Sequence, residues 1–149
     1  MASRSPDSPD PDWVVDSHFG SDSANLIRLC LPARADMVPT VRAVTADLAR
    51  RADFDLDAVA DLRLAVDEAC AELVRLSNPT QLLYGAFRVD DGQVHLSVSV
   101  RATDAAARID PEGFGWRVLR ALTDEVSVEY GTGPHCDQVV IHLLKVAPS

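Results

Sequence analysis

Lysine is almost absent from this chain, with Lys145 as its one example, and basic residues as a group are scarce. The sequence carries 14 Lys and Arg against 23 Asp and Glu, which gives a formal net charge of -9. A nucleic-acid groove needs clustered basic side chains, so this balance excludes that class of protein and favours a partner with a basic surface. Because nearly all of the basic residues are arginines, forked contacts with carboxylates are favoured over diffuse positive charge.

Cysteine is also scarce, and long apolar runs are missing. Cys30, Cys70 and Cys136 are odd in number and have no CxxC spacing, which excludes a disulfide framework and a zinc site. Reduced thiols are favoured, with Cys30 and Cys70 in the core. No apolar run approaches the roughly 18 residues of a membrane span, and the N-terminus has no basic-then-apolar signal pattern. We therefore expect a cytoplasmic protein without membrane contact.

The composition is that of one folded domain with a tail. The 149 residues are 47% apolar and 25% charged, which is enough for a two-layer core but not for two independent ones. Residues 1–22 are rich in Ser, Pro and Asp and cannot bury enough apolar surface to offset chain entropy. The sequence thus predicts a disordered tail over 1–22 and a domain over 23–146.

Alternation and turn signals predict the element order β α α β β α β β. A strand ends at Pro32, Asp36 caps a first helix with Pro39 in its first turn, and Asp55 caps a second helix. Two alternating runs flank an Asp-Gly hairpin signal at 91–92, and a third helix and two further strands follow. Strands in runs, rather than strict βαβ alternation, predict an α+β fold. We expect a two-layer sandwich with a mixed, mostly antiparallel sheet and the helices on one face.

The second predicted helix has an apolar face and a narrow polar stripe. Its apolar face consists of Val59, Leu62, Val66, Ala69, Leu73 and Leu76. Its opposite stripe consists of Asp61, Ala65, Glu68, Glu72 and Arg75. Glu68 and Glu72 are like charges four residues apart, an arrangement that costs a helix roughly 0.2 to 0.5 kcal/mol. Either this stripe is solvated or a positive group lies against it.

Two segments of the chain together resemble a known family. The stretches LRLAVDEACAELV (62–74) and EGFGWRVLRALTDEV (112–126) are similar to the N-box and the second glycine box of the RsbW and SpoIIAB anti-sigma factors. These proteins share the GHKL fold of histidine kinases, gyrase and Hsp90. The likeness covers roughly residues 24–145 and extends to the mycobacterial-type anti-sigma factors for sigma F. It implies a two-layer, histidine-kinase-like ATPase fold.

The resemblance also implies a function and partners. Members of the family hold a sigma factor away from RNA polymerase core, work as dimers and bind ATP with Mg²⁺. Many of them phosphorylate a serine on a STAS-type anti-anti-sigma factor. We therefore expect an anti-sigma factor for an alternative sigma factor of the stress or sporulation type. An active RsbW-type serine kinase is the alternative, and a regulatory module descended from a histidine kinase, without a sigma partner, is a third hypothesis.

The same resemblance implies roles for particular residues. Glu68 matches the N-box glutamate, which acts as general base or orients the attacking hydroxyl. Glu72 stands where the family carries an asparagine that coordinates Mg²⁺. A carboxylate also ligates Mg²⁺ but adds negative charge beside the phosphates, and Arg75 can instead pair with it. Arg42 matches an arginine that contacts the sigma factor and its antagonist, and a plain surface arginine is the alternative.

The glycine boxes are only partly present. Gly113 and Gly115 match the second box, where backbone N–H groups and a helix N-terminus approach phosphate. A tight turn into the helix, with Trp116 in the place of nucleotide, is the alternative. The first box is missing, and Asp104, with Asp110 as second candidate, stands in for the adenine-binding aspartate. If that aspartate and the metal asparagine each supply ~1.5 to 3 kcal/mol, their loss weakens ATP binding about 10²- to 10⁴-fold.

Overall fold

The computed structural model describes residues 26–148, which form five strands and three α-helices in the predicted order. The elements are β1 (Leu26–Pro32), α1 (Val38–Arg51), α2 (Leu56–Leu76), β2 (Leu82–Asp90), β3 (Gln93–Arg101), α3 (Phe114–Leu122), β4 (Glu125–Tyr130) and β5 (Gln138–Val146). Short 3-10 turns precede α1 and β5. The predicted tail over 1–22 and the first residues of the predicted domain lie outside the described residues.

The strands form one sheet in the order β1–β2–β3–β5–β4. Every strand pairing among the described residues is antiparallel. The predicted antiparallel character is confirmed, but no parallel pair accompanies it there, because the connection through α3 places β4 at the sheet edge beyond β5 rather than beside β3. Asp91 and Gly92 close the predicted β2–β3 hairpin, and the φ of 68° at Gly92 is one that glycine adopts readily.

The helices cover one face of the sheet, as predicted. Alternate strand residues form the core with them: Leu83, Phe87, Leu96, Val98, Val100, Val139, Ile141 and Leu143. On α2 the predicted apolar face is buried from Val59 to Leu73, and Leu76 is partly buried. Each such Val or Leu contributes roughly 1.5 to 3 kcal/mol by leaving water, which fixes α2 on the sheet. None of the helices between residues 26 and 148 combines the length and apolar character that a membrane crossing requires.

The caps of α1 and α2 differ in how well the sequence predicts them. Asp55 caps α2 as predicted, because its Oδ1 accepts a hydrogen bond from the backbone N–H of Ala58 at 2.8 Å. The prediction that Asp36 caps α1 is wrong. Asp36 lies inside the 3-10 turn and pairs with Arg34, whose Nε is 3.1 Å from Oδ1. Because of this turn, α1 begins at Val38 and its N-cap position is Met37, so Asp36 does not occupy the cap position.

The three cysteines are free thiols, in different surroundings. Cys70 is buried on α2, where burial and, secondarily, the nearby Asp67 carboxylate raise its pKa to about 12. Cys30 is exposed on the face of the sheet opposite α1, α2 and α3, so the expectation of a core position is wrong for this residue. It follows from strand alternation, because its neighbour Leu31 points into the core and Cys30 must point away.

Candidate functional site

The candidate site lies where the first turn of α3 packs on the polar stripe of α2. Gly115, in that turn, is buried, and a Cβ added to it would overlap the Oε1 atoms of both Glu72 and Glu68. The missing side chain therefore lets the two helices approach until both carboxylates lie against the α3 backbone. The structure thus brings together three of the residues that the sequence nominated.

Glu72 is largely enclosed. Its side chain is 14% exposed, and its Oε1 lies 2.6 Å from Nη2 of Arg75, which is itself 63% exposed. Ala65, on the same stripe, is fully buried. A solvated stripe is therefore excluded at these positions, and the alternative prediction, in which Arg75 pairs with Glu72, is confirmed. The like-charge cost of Glu72 is offset by a cation on its own helix.

Glu68 is half-buried and forms no hydrogen bond or ion pair with any residue between 26 and 148. Its carboxylate shares the space over Gly115 with that of Glu72. Both lie near the positive end of the α3 helix dipole, which favours negative charge. The helix dipole thus adds to the Arg75 ion pair in stabilising two acidic groups whose spacing in the sequence makes them repel each other.

A cavity of about 500 Å³ opens on another side of Glu68, between the start of α1 and the exposed face of α2. Its walls include Val38, Pro39, Arg42, Asp67, Glu68 and Val74. Arg42 Nε donates a hydrogen bond to Asp67 Oδ1 at 2.8 Å, and each side chain is about one-third exposed. The sequence analysis did not single out Asp67. No local pattern could have done so, because its partner lies 25 residues away on another helix.

Gly113 and the two candidate adenine aspartates lie in turns before α3. The Asp110 carbonyl accepts from the N–H of Gly113 at 3.1 Å, and its Oδ1 accepts from Glu112 at 2.9 Å. Asp104 is exposed, and its Oδ1 accepts from the N–H of Ala106 at 2.9 Å. Both aspartates therefore fold their own loop, as this residue type commonly does. The structure does not bring Asp104 to the Glu68 and Glu72 carboxylates through any contact.

Apolar side chains occupy the core beside the second glycine box. Trp116 is 5% exposed and Ile109 is 6% exposed, and both belong to the main buried cluster. Phe114, in contrast, is 82% exposed and fills no internal space. The Ile109 N–H donates to the Tyr130 hydroxyl at 2.9 Å, and the Arg108 guanidinium lies 4.3 Å from the centre of the Tyr130 ring. The segment before α3 is thus anchored to β4 through residues that the sequence analysis missed.

The contacts at Gly115 bear on nucleotide binding. In a Mg-ATP cradle the N–H groups of a helix's first turn receive phosphate, whereas here two carboxylates lie against that turn at Gly115. Unit charges of like sign 4 Å apart repel by about 4 kcal/mol at an effective dielectric constant of 20. The nominated residues are therefore arranged to join two helices.

A second polar cluster lies on the face of the sheet opposite α1, α2 and α3. The Oγ of Ser97 is 2.6 Å from Nδ1 of His142, whose Nε2 is 2.9 Å from Oε2 of Glu129. The residue types are those of a hydrolase triad, but Ser97 is 0% exposed. It also lies between β2 and β5, where the ladders take up the backbone N–H groups that an oxyanion hole would need. The cluster therefore stabilises the sheet and does not form an active site.

The fold and this site define the class of protein. The chain has an antiparallel sheet covered by helices, and its N-box-like helix packs on a helix that begins with Gly-x-Gly. Residues 31–143 match the family of histidine kinase-like ATPase domains. The chain belongs to this family, which confirms the fold that the sequence predicted.

Curated proteins and solved structures similar to this chain include anti-sigma factors of the RsbW type. The chain is similar to the anti-sigma-F factor RsbW of Mycobacterium tuberculosis, from strains CDC 1551 / Oshkosh and ATCC 25618 / H37Rv, with 38% identity over 102 residues. The alignment covers 67% of this chain, and the chain spans 59% of the length of these curated relatives. Among solved structures, it is similar to the RsbU and RsbW domains of Rv1364c from M. tuberculosis. That match has a TM-score of 0.59 and 21% identity and covers 81% of this chain and 32% of the other, so it shows the fold alone.

Proposed function

We propose that this protein is an anti-sigma factor, which binds an alternative sigma factor and keeps it from RNA polymerase core. Its family and its 38% identity to the anti-sigma-F factor RsbW support this function. The observation that carries a binding role, rather than a chemical one, is the packing of Glu68 and Glu72 against Gly115. Side chains that would serve a nucleotide are used in helix packing, so sequestration depends on binding energy.

Nucleotide binding is weak or lost in this proposal. Glu72, the proposed metal ligand, is already paired with Arg75 at 2.6 Å. Glu68, the proposed general base, lies against Gly115 rather than before an open phosphate site. For Mg-ATP to bind, both carboxylates would have to leave α3 or be neutralised by the metal. This cost adds to the loss of about 10²- to 10⁴-fold that the missing adenine aspartate and metal asparagine predict.

The proposed partners are proteins in the cytoplasm. Arg42 is held in place by Asp67 and remains one-third exposed, so it can contact an acidic residue of the sigma factor or of a STAS-type anti-anti-sigma factor. A homodimer is the proposed binding unit. The net charge of -9 supports a sigma factor with a basic contact surface over any nucleic-acid ligand.

Co-purification with the alternative sigma factors of the same genome tests this function. We expect one sigma factor to be retained by the full chain in nucleotide-free buffer, and calorimetry of the purified pair to give tight 1:1 or 2:1 binding. Recovery of no sigma factor from the whole panel would remove the anti-sigma proposal.

A phosphorylation assay separates sequestration from the alternative kinase function. The full chain is incubated with labelled Mg-ATP and a STAS protein of the same genome, with Glu68→Gln as the matched control. We expect no label above the control. Label on a STAS serine that disappears in Glu68→Gln would replace the nucleotide-independent account with that of a serine kinase.

A further inference from the structure

We propose that the cavity between α1 and α2 receives an apolar segment of the bound protein, and that a single basic side chain of this segment pairs with Glu68. The inference rests on the proposed anti-sigma function and names the chemistry of its contact. It assigns Glu68 to recognition of a protein partner rather than to proton transfer.

The shape and lining of the cavity are those of a docking site for a few side chains. Its volume of about 500 Å³ is within the range of roughly 300 to 1,000 Å³ that is common for ligand sites. Val38 and Val74 are partly buried and supply apolar walls, while Pro39 and Ala71 are exposed at its edge. Filling this space with apolar side chains would remove these surfaces from water, which stabilises the complex.

The charges around the cavity indicate that the bound segment also carries a basic side chain. Arg42 is paired with Asp67 at 2.8 Å, and Arg75 is paired with Glu72 at 2.6 Å. Glu68 also lines the cavity, and its carboxylate forms no ion pair with any residue between 26 and 148. An occupant that covered Glu68 with apolar atoms alone would strip water from an unpaired carboxylate, which is costly. An arginine or lysine among apolar side chains removes that cost, so the cavity selects this combination.

The test measures the affinity of the full chain for its co-purified sigma factor at two salt concentrations. Glu68→Gln keeps the shape that fits over Gly115 but removes the charge. We expect it to weaken binding about 10- to 100-fold at low salt, the effect of losing one charge-assisted contact. The salt dependence of binding should also become shallower than in the wild type. Packing alone would not change that slope.

A second variant and a matched control keep the result independent of effects on folding. Ala71→Arg places bulk and positive charge at the exposed edge of the cavity, and we expect about tenfold weaker binding or more. Glu125→Gln removes an exposed carboxylate on β4, which does not line this cavity, and should change affinity by less than about twofold. Thermal melts of all variants verify that they fold.

Each outcome decides between the two proposals. Normal sigma binding by both Glu68→Gln and Ala71→Arg would overturn the cavity assignment and leave the anti-sigma function standing. Failure of the wild-type chain to bind any sigma factor would overturn both. Weakening by Ala71→Arg with an unchanged Glu68→Gln affinity and salt slope would also overturn the assigned role of Glu68.

Discussion

Replacement of Gly115 by alanine tests whether the two carboxylates determine how α3 packs on α2. The new Cβ would overlap Oε1 of Glu72 and of Glu68, so either the helices separate or Glu72 leaves Arg75. Overpacking of this kind costs about 1 to 3 kcal/mol, whereas alanine gains at most about 1 kcal/mol over glycine in helix propensity. We therefore expect a net loss of up to ~2 kcal/mol in the free energy of unfolding, measured by urea denaturation of the full chain.

The same substitution in a background that lacks both carboxylates is the control. In Glu68→Ala/Glu72→Ala the overlapping atoms are gone, so Gly115→Ala should stabilise the protein by up to about 1 kcal/mol through helix propensity alone. The double-mutant cycle should thus show a coupling energy equal to the overpacking cost, ~1 to 3 kcal/mol. Equal effects in the two backgrounds, or stabilisation of the wild type by alanine, would refute the packing argument.

Three further predictions concern the cap, a buried thiol and the nucleotide. Asp55→Ala removes the α2 cap bond of 2.8 Å and should lower the free energy of unfolding by ~0.5 to 2 kcal/mol in urea denaturation; no change would contradict the cap. Because the pKa of Cys70 rises from 9.0 to about 12, the unfolded state ionises first as pH rises, and stability present below pH 9 should be lost toward pH 12. The loss is at most ~1.4 kcal/mol per pH unit. In urea denaturation between pH 8 and about 10.5, the free energy of unfolding of Cys70→Ala should therefore depend less on pH than that of the wild type. Glu72→Asn removes a negative charge from the α3 N-terminus and should raise Mg-ATP affinity about tenfold or more in calorimetry, whereas an unchanged affinity would contradict the proposed repulsion.

Local patterns predicted most of the fold because they report burial directly. The strand alternation, the Asp91–Gly92 turn and the Asp55 cap each depend on residues close together in the chain, and each lies where it was predicted. The spacing of Glu68 and Glu72 likewise raised the question of a positive neighbour, and Arg75, one turn along the same helix, answers it. In these cases sequence neighbours are also spatial neighbours.

Contacts between distant segments could not be predicted in this way. The Asp67 partner of Arg42 and the Tyr130 partner of Ile109 depend on how whole elements pack, and no spacing rule relates them. Asp36 failed as a cap because a 3-10 turn competes with α1 for the same residues. The exposure of Cys30 could have been predicted, because alternation with Leu31 assigns it to the opposite face of β1.

The most direct test of the whole account is the affinity of the purified chain for the sigma factor that the proposed function assigns to it, measured by calorimetry with and without Mg-ATP. We predict submicromolar binding that changes by less than about twofold when saturating nucleotide is added, because the space at Gly115 is filled by Glu68 and Glu72. If binding of the sigma factor requires Mg-ATP, or if its affinity rises by about tenfold or more when Mg-ATP is added, the claim that this domain binds its partner without nucleotide would be contradicted.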